Sequence, residues 1–181
     1  MMTNDTVLKL LLATPWLLTL CLWDVKHRRL PNVLTLGGAS VCLVAYLGAG
    51  GVALAGSGLL AGFLCGLFLY LPFLMKAAGG GDVKMLFACG TLVGMGQVMN
   101  LLFFMSIAGF LLALVMWIAG RVDMSRVKHY ARALFDFRYD RKLGREALPH
   151  RDNERCRVPF GVAIAGGVWA TFVWTLTQKG F

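Results

Sequence analysis

Acidic side chains are scarce in this sequence: nine Asp and Glu stand against eighteen Lys and Arg among 181 residues. Charged residues of either sign make up only 15%, where a soluble domain carries about a quarter. So little charge cannot cover a water-soluble surface, and the apolar residues, 58% of the chain, are left to face lipid. The five cysteines form no CxxC pair and show no metal-ligand spacing, which excludes the common zinc modules and gives no sign of a disulfide framework. Cys21, Cys42, Cys65 and Cys89 lie in apolar stretches and read as small buried hydrophobes. None of His27, His129 and His150 has a Ser or Cys nucleophile at readable spacing, so nucleophilic triad chemistry has no support. The N-terminus lacks the basic region and the small-x-small cleavage site of a signal peptide, and its first apolar run is expected to be a retained helix.

What is present is a series of apolar runs, each about the length that crosses a bilayer as a helix. They cover Val7–Trp23, Val33–Leu47, Ala53–Met75, Val83–Gly94 (short, opening just after Asp82), Val98–Ala119 and Val158–Leu176. The expected fold is an all-α integral membrane protein of six transmembrane helices, one domain over residues 1–181 with a basic loop at 121–157. In the third run Gly58, Gly62 and Gly66 recur every four residues, a ridge that lets helices approach closely, and Gly90 and Gly94 offer a second pair.

The net charge of +9 might suggest nucleic acid, but the cations flank the apolar runs. If the loop after the first run is cytosolic, the loops after the third and fifth are too, and together they hold 16 of the 18 Lys and Arg. Only Lys9 and Lys179 fall on the other side. The positive-inside rule then puts both termini outside the cytosol, and no nucleic-acid partner is implied.

Six of the nine acids sit in the basic loop and one is Asp5. The other two, Asp24 and Asp82, lie at run ends on the face assigned to the cytosol. An acid there has ordinary explanations: Asp24 could pair with Lys26 or Arg28, and Asp82 could cap its helix. Two on one face, each in a distinctive string, point further. One string is Trp23-Asp24-Val25-Lys26-His27-Arg28-Arg29-Leu30-Pro31-Asn32, the other Gly79-Gly80-Gly81-Asp82-Val83-Lys84-Met85. Glycines before an acid allow unusual backbone angles and the close approach of another chain. Two carboxylates sharing a proton can activate water against an amide. Asp82 opens its helix and Asp24 closes its own, so the helix dipoles are expected to make Asp82 the ionised base and Asp24 the proton holder.

Asp followed by a basic stretch and Leu-Pro-Asn, with a GxGD string opening a later helix, resembles the type IV prepilin peptidases. GxGD is shared more distantly with presenilin-like and signal-peptide-peptidase-like proteases. The resemblance implies an aspartic peptidase of the bacterial inner membrane with Asp24 and Asp82 as its catalytic pair and Gly79 and Gly81 as the motif glycines, beside the substrate. It implies removal of the leader of a prepilin or pseudopilin at the cytosolic boundary. Val158-Pro159-Phe160-Gly161-Val162-Ala163 is similar to the segment that opens the family's last helix. Bifunctional members carry a methyltransferase region with cysteine pairs. This chain lacks both, and so looks like the short, peptidase-only branch of Tad/Flp type, with no metal or cofactor implied.

In the basic loop, Ser125–Phe135 has apolar residues at helical spacing and reads equally as an interfacial helix on anionic lipid or as an ordinary positive loop. The competing function is a small proton-coupled transporter or scaffold that uses Asp24 and Asp82 as a relay. Such a protein would more often hold its acids near the midplane and show repeat symmetry, and this sequence does neither.

Overall fold

The computed structural model describes residues 2–27, 30–74, 78–119 and 160–179. The basic segment 121–157, with the expected interfacial helix, lies outside them, as do Arg28, Arg29 and Lys76. By contacts the chain divides into two compact units, Met1–Phe110 with Pro159–Phe181, and Leu111–Val158. Of the second, the described part is the end of a helix, up to residue 119.

The described residues form helices and their connections, with no strand among them. In chain order they are α1 (Met2–His27), α2 (Asn32–Leu74), α3 (Gly80–Val93), a single 3₁₀ turn (Met95–Gln97), α4 (Val98–Ile118) and α5 (Phe160–Lys179). Among the described residues, four stretches are long and apolar enough to cross a membrane: Thr6–His27, Asn32–Leu74, Met95–Ile118 and Phe160–Gln178. Large apolar side chains stand exposed along them, among them Leu12, Leu22, Val41, Phe63, Phe103 and Phe110. Water would penalise such a surface, and hydrocarbon accepts it.

As one straight rod, the 43 residues of α2 would run about 65 Å, twice the hydrocarbon thickness. They are not one rod. Gly50 and Gly51 leave helical geometry, with Gly51 at φ 68° and ψ −162°, a conformation that only glycine adopts readily. Tyr46 and Gly58 lie on opposite sides of this break, and a Cβ on Gly58 would stand 2.7 Å from the Tyr46 ring. Twelve residues of straight helix would separate them by about 18 Å, so the chain doubles back. α2 is a helical hairpin, and its halves, 32–49 and 52–74, match the second and third apolar runs.

Small residues set how closely the second half of α2 meets α3. A Cβ on Gly62 would collide with the Thr91 hydroxyl and stand 2.7 Å from the Phe87 carbonyl oxygen. From the other side, a Cβ on Gly90 would stand 2.7 Å from Cys65 Sγ and 2.9 Å from the Ala61 carbonyl oxygen. The expected ridge is therefore a helix–helix seam, except at Gly94. That residue sits past the end of α3 with φ 83°, and its role is to let the helix stop.

One buried core joins the helices of the first unit. It contains Leu17 and Leu20 of α1, Cys65 and Leu69 of α2, Leu86 and Cys89 of α3, Leu101 and Met105 of α4, and Ile164 and Val168 of α5. Cys65 and Cys89 are buried free thiols, consistent with a packing role, while Cys21 and Cys42 are partly buried. At one end of this core Lys9 donates to the Tyr46 hydroxyl at 3.2 Å, and that hydroxyl donates to the Leu92 carbonyl at 2.7 Å. This ties α1, α2 and α3 together and fixes their register.

Candidate functional site

That register decides where the two acids lie. Lys9 of α1 and Leu92 of α3 share Tyr46 at one end of the bundle. From there α1 runs about 22 Å to Asp24, and α3 runs back about 15 Å to Asp82. Both acids therefore lie toward the other end. The two sequence strings also meet there: Lys84 Nζ donates to Asn32 Oδ1 at 2.8 Å, and Gly81 packs beside Leu30.

Asp24 is more deeply placed than a run ending at Trp23 suggests. α1 continues to His27, so Asp24 is inside the helix, one turn beyond the buried Leu20, and only 6% exposed. Its Oδ2 accepts a hydrogen bond from the Gly161 backbone N–H at 2.9 Å, in the first turn of α5. A buried carboxylate needs such donors to remain charged.

Asp82 is partly buried in the first turn of α3. Its Oδ2 accepts from the Gly79 N–H at 2.9 Å. The expected capping role is thus real but shifted: Gly79 is the N-cap, and Asp82, three residues on, reaches back to it. The carboxylate is held where free N–H groups and the positive helix end favour it.

The expected difference between the acids rests on each one's own helix. Asp24 does lie in the last turn of α1, but it also faces the opening turn of α5, whose dipole has the opposite sign. That second helix offsets the first, and the expected order of base and proton holder loses its basis.

The glycine string also differs from expectation. Gly79 has φ −86° and ψ 149°, and Gly80 and Gly81 are helical, conformations open to any residue. Among the described residues only Gly51 and Gly94 have positive φ. What the string supplies is space: a Cβ would stand 3.3 Å from the Phe73 ring at Gly80 and 3.1 Å from Leu30 Cβ at Gly81. The Gly161 contact to Asp24 was not legible in sequence, because it joins positions 137 residues apart.

The profile of the type IV leader peptidase family matches residues 11–114 of the chain, more than half its length. The chain belongs to that family. No curated protein and no solved structure matches it. The matched stretch of this leader peptidase holds most of α1, all of α2 and α3 and most of α4, with both strings and both acids, while Gly161 lies beyond it.

In this peptidase, Gly81→Val is expected to lower activity more than abundance. The branched side chain must displace Leu30, and Asp82 is the next residue. A shift of a few tenths of an ångström at a reacting group costs on the order of tenfold in rate, given about 100-fold for a full ångström. Leader loss normalised to inserted protein measures this. Normal processing would reduce the glycine string to a linker.

Proposed function

We propose that the protein is an aspartic endopeptidase that removes the leader of a prepilin-like or pseudopilin substrate, with Asp24 and Asp82 as its catalytic pair. The observation that carries this reading is that both acids lie toward one end of the bundle, each accepting a hydrogen bond from a backbone N–H on a carboxylate oxygen. One carboxylate, ionised, takes a proton from a water molecule that attacks the scissile carbonyl carbon. The other, protonated, hydrogen-bonds the carbonyl oxygen. The tetrahedral intermediate then collapses, the C–N bond breaks, and a proton passes to the leaving amine. Like charges held close cannot both ionise easily, which is how such a pair keeps one shared proton.

On this reading the whole chain serves a single peptidase. The two halves of α2 count as separate spans and α3 as a short one, giving six. Both termini lie outside the cytosol of a bacterial inner membrane, and the acids face the cytosol. The distribution of cations supports this orientation. The substrate's hydrophobic segment lies in the bilayer and brings the cut to the boundary, where its backbone passes beside Gly79 and Gly81. No metal or other cofactor takes part, and the product leaves unmethylated by this protein.

Co-expression with a small prepilin, in cells lacking another leader peptidase, tests the proposal. The expected result is a product shortened by the leader and carrying an unmodified N-terminal amine. Full-length prepilin at normal enzyme abundance would count against it.

A further inference from the structure

α5 begins at Phe160, and its second residue has no side chain. A Cβ built on Gly161 would stand 2.7 Å from Asp24 Oδ2, 3.1 Å from Asp24 Cγ and 3.2 Å from Asp24 Cβ. All three nearest atoms belong to the same aspartate. Real Cβ atoms essentially never come within 3.0 Å of a non-bonded heavy atom of another part of the chain, so any other residue at this position must displace the carboxylate. The same residue supplies the N–H that Asp24 Oδ2 accepts at 2.9 Å in a buried setting. One residue thus both makes room for Asp24 and holds one of its oxygens.

We propose that Gly161 is a positioning residue for the peptidase reaction: its backbone N–H fixes the Asp24 carboxylate, and its missing side chain provides the space that carboxylate occupies. This rests on the reading of Asp24 as catalytic. It brings α5, outside the family-matched stretch, into the site. Other glycines of α5 separate this role from packing. A Cβ on Gly166 would make an ordinary 3.8 Å contact with Ala108, whereas one on Gly167 would stand 2.7 Å from the Met105 backbone.

The test compares G161A, G166A, G167A and D24N in the full chain, purified in bilayer discs, with prepilin cleavage normalised to folded protein. G161A is expected to lower kcat about 100-fold, the scale of a misplaced reacting group, with KM changed less than threefold. G166A should cleave normally. G167A should lose abundance and thermal stability while its folded fraction keeps its kcat, so a loss through packing alone has its own signature. Wild-type kcat in G161A, with D24N inactive, would overturn the proposal and leave the dyad standing. Cleavage by D24N would overturn the dyad reading itself, and this proposal with it. If G161A fails to accumulate, the double variant with D24A decides. Removing Asp24 Oδ2 and Cγ removes the two closest contacts, so abundance should return toward that of D24A alone. No recovery would mean that the clash lies elsewhere and the proposal fails.

Discussion

Asp24→Asn and Asp82→Asn are each expected to lower leader cleavage by about 10²–10⁴-fold, the usual contribution of a general acid or base, while the protein still inserts at near-normal abundance. The two halves of this expectation have separate causes. Asparagine keeps an Oδ1 acceptor of the same shape, so the Gly161 N–H can still donate at position 24 and the Gly79 N–H at position 82. The ties that hold α1 to α5 and start α3 therefore survive. What asparagine cannot do is accept a proton from water or give one to a leaving amine. Each variant, expressed with a prepilin, is read by leader loss on a gel beside an immunoblot of the membrane fraction. Substantial processing by either single variant would refute the pair.

Gly62→Val should act in the opposite sense, as a loss of protein rather than of chemistry. A Cβ there meets the Thr91 hydroxyl and stands 2.7 Å from the Phe87 carbonyl oxygen. A backbone carbonyl in a helix cannot turn aside as a flexible side chain can, so α2 and α3 must separate. Overpacking of this kind costs about 1–3 kcal/mol, and more where the neighbour is rigid. Gly56→Val is the matched control, because a Cβ at Gly56 meets nothing within 4 Å. The expected outcome is a clear fall in thermal midpoint and in membrane abundance for the first variant and little change for the second. Equal midpoints would show that this seam is not where the helices are held.

Much of this architecture is legible in the sequence because lipid imposes a simple demand: each crossing must be apolar and must satisfy its own backbone. The apolar runs therefore reappear as helices, and Gly48–Gly51 mark the turn where α2 doubles back. The boundaries are less legible. Charge at Asp24 marks an end to hydrophobicity, but not to the helix, which continues to His27 because α5 supplies the buried carboxylate with a donor. Gly90 and Gly94 look like one pair at a spacing of four, yet only Gly90 lies in the seam, and Gly94 ends the helix at positive φ.

The candidate site divides the same way. Asp82 and its glycines sit within four residues of one another, and their string announces a helix start. The Asn32–Lys84 hydrogen bond, the packing of Leu30 on Gly81 and the hold of Gly161 on Asp24 join distant segments. No local pattern records which side chain a distant helix will meet. The dipole argument for unequal acids counts only the helix on which each acid stands, and no local pattern shows that Asp24 also meets the first turn of α5.

Hydrolysis by the purified protein tests the central claim most directly. Wild-type protein in bilayer discs, with no ion gradient and no nucleotide, is mixed with a prepilin and the products are weighed by intact mass spectrometry. The account predicts two fragments, leader and mature pilin, whose masses sum to that of the prepilin plus one water, and neither fragment when Asp24 or Asp82 is replaced by Asn. Prepilin left intact by well-folded wild-type protein, or the same two fragments from the Asn variants, would contradict it.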